Sequence, residues 1–323
     1  MLTRRSLFPL ALLAGFTASA FAAVDPGLLA LAPPDAVVLT GLNVDQAKMS
    51  IYGLYMLSQM QVDDAGFQKF IADTGFDPRR DLRQILSATS GSGDTSQTVI
   101  LGRGSFDAAK ISAASQAEGA TKTNYKGLDL IVHSGTDMTG AIAFLDSTTA
   151  VMGHLDAVKG VIDRRGLTAT GLSDSITTRI KTLASTNDAW FLSAVSPASF
   201  FSGKINDPKV GPVLEAGMMQ SIVAGSGGLK FSANGAAIMA QAVARSEKDA
   251  SALADVVRFF VSLVQSNRAS NAQVDQFATV LQNMQINVDG TYLNLLLTIP
   301  EATLEQMFMG RHTSAGKVAA VHN

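Results

Sequence analysis

The sequence predicts an α+β chain of two pseudo-repeats, each an antiparallel sheet with helices packed on one face. Within each repeat the order is strand, helix, hairpin, helix, hairpin. Three observations carry that expectation. A strand-like octapeptide recurs, as Asp35-Ala36-Val37-Val38-Leu39-Thr40-Gly41-Leu42 and as Asp188-Ala189-Trp190-Phe191-Leu192-Ser193-Ala194-Val195. A two-residue turn between apolar strands also recurs, as Lys126-Gly127 and Asp289-Gly290; Asp-Gly in that setting is a strong hairpin signal. In residues 247–267, Ala250, Leu253, Ala254, Val257, Val261 and Val264 fall on one stripe at three- and four-residue steps, the mark of a core-facing helix.

The elements follow in order. Residues 1–23 read as an export signal: Arg4-Arg5 precede a short apolar run, small residues follow, and Ala20-Phe21-Ala22 fits the cleavage rule. The paired arginines suit the twin-arginine route, and the general secretory route fits as well. Pro9, Gly15, Thr17 and Ser19 dilute the run below the roughly 20 mainly apolar residues of a membrane span. The first repeat is expected over 24–170. It opens with the strand at 36–42, entered through Pro33-Pro34, and continues into an apolar helix from Met49 to Met60. Hairpin strands at 84–90 and 97–102, a helix at 106–118 and a hairpin at 122–133 come next. A single strand at 141–152 and a helix at 155–164 complete it. The Gly-, Thr- and Ser-rich stretch 166–173 marks a boundary. The second repeat, over 171–309, carries the strand at 189–195, hairpin strands at 220–226 and 236–244, and the helix at 247–267. An additional helix at 271–284 precedes its closing hairpin at 285–299. Residues 310–323 read as a disordered tail.

Residues Thr74-Gly75-Phe76-Asp77-Pro78-Arg79-Arg80-Asp81-Leu82 resemble the TG-F-D-P-x-x-D-L segment of a group of uncharacterised exported bacterial proteins. The resemblance covers about residues 30–165 and implies an exported α+β domain without an assigned activity. The residues themselves read structurally. Gly75 suits a helix end, Pro78 forbids continuation, and Asp81 caps or pairs with Arg79 or Arg80.

Composition excludes whole classes. Of 323 residues, 47% are hydrophobic and 16% charged, too apolar for a chain disordered as a whole. A net charge of -2 lacks the basic excess of a nucleic-acid binder, and removing Arg4 and Arg5 takes it to -4. With no Cys there is no disulfide, thiolate metal site or Cys nucleophile.

Chemical motifs are weak. The tail Gly310-Arg311-His312-Thr313-Ser314-Ala315-Gly316-Lys317 has five residues between its glycines where a phosphate loop has four, and Val318 stands where a hydroxyl belongs. After Gly102-Arg103-Gly104, Asp107 occupies the place of a third glycine and would repel a pyrophosphate. Ala224-Gly225-Ser226-Gly227-Gly228 is an Ala variant of a nucleophile elbow, but Ser226 needs a His base, and only His133 and His154 lie in the folded body. The plainer expectation is a glycine-rich turn, like Ser90-Gly91-Ser92-Gly93. His133, Asp137, His154 and Asp156 would gather for a divalent metal only if the strand after Gly140 pairs with the one ending at His133. No catalytic, cofactor or metal residue is assigned, and no cofactor is expected.

The most suggestive segment is 49–60, where Met49, Ile51, Tyr52, Leu54, Tyr55, Met56, Leu57 and Met60 surround a helix. Such a helix is buried at the junction of the halves, or buries itself in an apolar ligand or protein partner. The function that fits best is a non-catalytic binding or interaction protein in the periplasm or outside the cell. An oligomeric envelope component and an exported hydrolase are the alternatives. Export has a direct check. N-terminal sequencing of the envelope protein is expected to begin at Ala23 or Val24, and Arg4-Arg5→Lys-Lys sharply reduces export if the twin-arginine route operates.

Overall fold

The computed structural model describes residues 24–58, 65–135, 139–197, 218–270 and 272–306. Among the described residues, twelve strands form one continuous antiparallel sheet. They are β1 (Ala36–Asn43), β2 (Leu82–Ser90), β3 (Gln97–Gly104), β4 (Thr121–Tyr125), β5 (Leu128–Ser134) and β6 (Thr139–Asp146), followed by β7 (Thr149–His154), β8 (Ala189–Ser193), β9 (Ile222–Ser232), β10 (Gly235–Ala244), β11 (Met284–Asp289) and β12 (Tyr292–Pro300). Their order across the sheet is β11-β12-β10-β9-β8-β1-β2-β3-β7-β6-β5-β4. The two copies of the octapeptide are therefore neighbours at the centre, with Leu39 opposite Leu192. The sheet runs unbroken from one half to the other rather than forming two separate sheets.

Strand alternation divides the sheet into two faces. On one, which we call the Leu39 face, Leu39, Leu86, Leu101, Ala143 and Val151 are buried. Helices α1 (Pro26–Leu31), α7 (Leu155–Asp163) and α8 (Asp174–Thr186) pack there through Leu28, Val158, Val161, Ile180 and Leu183. On the opposite Thr40 face, α6 (Ala108–Ala117) lies by β4 and β5. Helix α10 (Glu247–Ser266) sets Ala250, Leu253 and Ala254 against Ala242 and Leu293, and α11 (Ala272–Leu281) lies beside it. Helices thus occupy both faces, not one. Ser246 caps α10 through Asp249 N–H at 3.1 Å, and Glu247 and Asp249 sit in its first turn, where the helix dipole favours negative charge. Between α6 and α10 the Thr40 face is partly bare, and Ile100, Met152, Phe191 and Ile238 are exposed.

Two further expectations are corrected and one helix is added. Residues 141–152 form parts of two strands, because Ser147 and Thr148 turn the chain, with Asp146 Oδ1 accepting from Thr148 N–H at 2.7 Å. The glycines around Ser226 are mid-strand in β9, not in a turn. A side chain at Gly228 would meet Asn187 at 2.1 Å, and one at Gly227 would meet the Phe191 ring at 2.5 Å. Helix α8 lies just beyond the expected boundary; Ile176, Ile180, Leu183 and Ala184 give it an apolar stripe. The remaining helices are α2 (Val44–Ala47), α3 (Ile51–Ser58), α4 (Ala65–Thr74), α5 (Pro78–Asp81) and α9 (Met218–Ser221). Gly75 follows α4 at φ 70°, and Asp77 caps α5 and pairs with Arg79 at 2.7 Å, while Asp81 pairs with Arg80. No described helix is long and apolar enough to cross a membrane. Residues 1–23 and 310–323 lie outside the described residues.

Asp25 ties the start of the described chain to β3. Its Oδ1 accepts from Gly27 N–H at 2.7 Å and caps α1, while Oδ2 meets Arg103 Nε at 2.7 Å. Burial alone would raise its pKa, but Arg103 and the two helix amides outweigh burial and hold it below the usual carboxylate value. The contribution is present above the unfolded pKa, about 3.9, and is lost as pH falls through the lower folded value. Asp25→Ala is expected to cost about 1–2 kcal/mol. In denaturant titrations the gap from wild type should stay constant between pH 7 and 5 and close only below about pH 4.

Candidate functional site

A cleft of about 330 Å³ lies between α8 and the Leu39 face of β9, β10, β12 and β11. The pairing register places Ser226, Gln241, Asn294 and Asn287 in a single row across these four strands. The same row continues through Leu192 on β8 and then, in the other half, through Leu39, Ala88, Val99, Gly153 and Ala141. It is apolar from Ala141 to Leu192 and polar from Ser226 outward.

Arg179 projects from α8 onto the polar part. Its Nη2 donates to Ser226 Oγ at 2.9 Å and to Gln241 Oε1. Gln241 Nε2 in turn donates to Asn294 Oδ1 at 2.7 Å. Ser226 is 3% exposed, Arg179 and Gln241 are half-buried, and Asn287 and Gln285 line the open rim. Leu183, Met239 and Leu296 supply apolar walls. Among the described residues no carboxylate lies within salt-bridge distance of Arg179. A guanidinium is a planar fork of donors with no acceptor, chemistry suited to holding and orienting an acceptor group.

The residues singled out from sequence fall elsewhere. Ser226 is five strands from His154 in the sheet order and seven from His133, about 24 and 34 Å at ~4.8 Å per strand. The strand after Gly140 does pair with the one ending at His133, as the metal reading required. His133 and His154 both flank Gly140, two strand spacings apart, and His154 Nδ1 accepts from Thr98 N–H at 3.3 Å. Asp156 pairs with Lys159, and Asp137 lies outside the described residues. No group of three or more potential metal-ligating residues gathers among the described residues. Arg103 is engaged by Asp25 and Thr149. Arg179 itself was missed. The Ser173-Asp174 start marks the helix that carries it, with Ser173 Oγ accepting from Ile176 N–H at 3.4 Å, but not the residue's place in a cleft.

The apolar segment at 49–60 becomes α3, with Met60 outside the described residues. It is not buried all round. Met49 is 87% and Ile51 76% exposed, whereas Tyr52 is 4% exposed and packs with Ala236, Val280, Ile299 and Leu304. A chain segment from the first half thus inserts one aromatic residue into the second. Burial, and then the Glu301 and Glu305 carboxylates, push the Tyr52 phenol above its usual pKa. A second hollow, of about 250 Å³, lies beside Tyr52 and is lined by Asp188, Lys230 and Glu301. Asp188 is buried and occupied: it pairs with Lys230 and accepts from Phe231 N–H, each at 2.7 Å.

No protein-family model and no curated protein matches the chain. Solved structures do. The chain is similar to crystal form III of TP0453 with a TM-score of 0.50 and 14% identity, over 86% of this chain and 95% of that one. Crystal forms I and IV of TP0453 give 0.48 and 0.49, at 14% and 13% identity, over 88% and 86% of this chain and 96% and 95% of theirs. The likeness to form III concerns the fold alone: a mixed α+β chain on an antiparallel sheet.

The Tyr52 contact separates the readings of α3. Tyr52→Glu sets a carboxylate in an apolar cluster near Glu301 and Glu305 and should cost about 3 kcal/mol or more. Ile51→Glu, on the exposed side, should stay within about 0.5 kcal/mol. Thermal unfolding of both variants measures the difference.

Proposed function

We propose that this chain is an exported, non-catalytic binding protein of the periplasm or extracellular space, built from two pseudo-repeats, with its ligand in the Arg179 cleft. The observation that carries the reading is the change of character along one row of the sheet. A pseudo-twofold axis between β1 and β8 would match Leu39 with Leu192, Ala88 with Ser226, Val99 with Gln241 and Gly153 with Asn294. The first repeat fills these positions with small or apolar side chains and closes them under α7. Beyond Leu192 the second carries the hydroxyl and amide groups of Ser226, Gln241 and Asn294 instead, adds a cation, and leaves the rim open. A core needs no such polarity, since each buried polar group must find a partner. A ligand site needs a few oriented polar groups set in apolar walls.

Ile100, Met152, Phe191 and Ile238 on the Thr40 face favour a second reading, an envelope assembly component acting as an oligomer. Native mass spectrometry of protein taken from its own envelope fraction separates the two. The binding reading expects a monomer carrying a small molecule that Arg179→Gln loses. A bare monomer overturns it, and a stable oligomer without ligand favours the second reading.

A further inference from the structure

We infer that the Arg179 cleft takes a carboxylate-bearing small molecule, a monoanion flanked by oxygen acceptors. This rests on the reading of the cleft as a ligand site and adds the chemistry of the ligand. Arg179 sets the direction of every hydrogen bond in the group. Its Nη2 uses both protons, one on Ser226 Oγ and one on Gln241 Oε1. The Gln241 carbonyl is thereby committed to Arg179, so its Nε2 faces Asn294 and must donate. Asn294 accepts through Oδ1, which leaves its Nδ2 to donate. The internal bonds consume acceptors and leave donors over. Nε and Nη1 of Arg179 have no partner among the described residues, and Asn294 Nδ2 lies further along the row.

Charge points the same way. Arg179 is the one ionised side chain among the described residues lining the cleft. The site is therefore a donor-rich pocket of a single positive charge. Its complement is an acceptor-rich group of a single negative charge. A phosphate monoester carries about -1.5 to -2 at pH 7 and would be under-neutralised here. A carboxylate matches in charge and in acceptor number. Asn287 and Gln285 at the rim suit hydroxyl or carbonyl oxygens beside it. The volume, about 330 Å³, admits a molecule the size of one acidic sugar.

The test uses the mature protein and isothermal titration with sodium D-glucuronate, sodium acetate, sodium hippurate, D-glucose and inorganic phosphate. At least one carboxylate is expected to bind, with glucuronate at least tenfold tighter than glucose. Asn287→Asp places a negative charge on the exposed rim and should weaken the carboxylate about tenfold with an unchanged Tm, the effect shrinking in high salt. Arg179→Gln should abolish binding. If that variant fails to fold, Asn287→Asp still decides. Equal binding of glucose and glucuronate, unaffected by Asn287→Asp, overturns the carboxylate assignment and leaves the binding reading standing. Phosphate binding in place of all three carboxylates overturns it likewise. Absence of binding by every probe overturns the assignment, while a co-purified neutral molecule in the native spectrum would preserve the binding reading.

Discussion

The pairing of β1 with β8 is the contact on which the rest of the molecule hangs. It joins the two arms of the sheet, and all five pairs from Val38–Ser193 to Leu42–Ala189 are in register. The pairing is reinforced at its end. Asn43 N–H donates to the Asp188 carbonyl at 2.8 Å, and Asp188 N–H donates to the Leu229 carbonyl at 2.8 Å. The buried Asp188 carboxylate then holds Lys230 and the Phe231 amide. One residue at the entry to β8 therefore stitches three strands together. Gly41 belongs to the same constraint: Trp190 lies across it, and a side chain there would meet the indole at 2.3 Å. A register slip of one residue would turn the Leu39 face to the other side and expose the core.

From this centre the arms diverge. In the first, α1 and α7 close the Leu39 face over a core of Leu86, Leu101, Val99 and Val151. In the second, α8 covers only the inner strands, and the outer ones keep half-buried amides. The main helix of the second arm, α10, takes the Thr40 face instead. The two arms thus differ: one is closed over an apolar row, the other open beside Ser226, Gln241, Asn294 and Asn287.

Much of this was legible in the residues. Period-two alternation and turn chemistry located most strands, because a side chain's face is fixed by parity within a strand. The amphipathic stripe of α10 was equally plain. What sequence could not supply was the pairing of distant strands. That Leu39 lies opposite Leu192 does not follow from the recurrence of the octapeptide, because nothing local says that the copies touch. The glycines around Ser226 misled because glycine marks turns by its backbone freedom, whereas Gly227 and Gly228 are there to admit Phe191 and Asn187. The segment at 49–60 is apolar nearly all round, but which of its sides the fold covers is set by distant elements: Tyr52 is buried while Met49 and Ile51 are exposed. Arg179 was invisible because a cleft gathered from α8, β9, β10 and β12 has no contiguous motif.

The central position of β1 also governs the order of events in the life of the chain. Its partner β8 is synthesised about 150 residues later. Until then one edge of an apolar strand, Ala36-Val37-Val38-Leu39, presents unpaired amides and carbonyls. An open edge of that kind is a template for joining other chains. A ribosome-bound first arm therefore remains adhesive until the second arm arrives, however well its own core has formed. The long-range closure makes assembly slow as well as late.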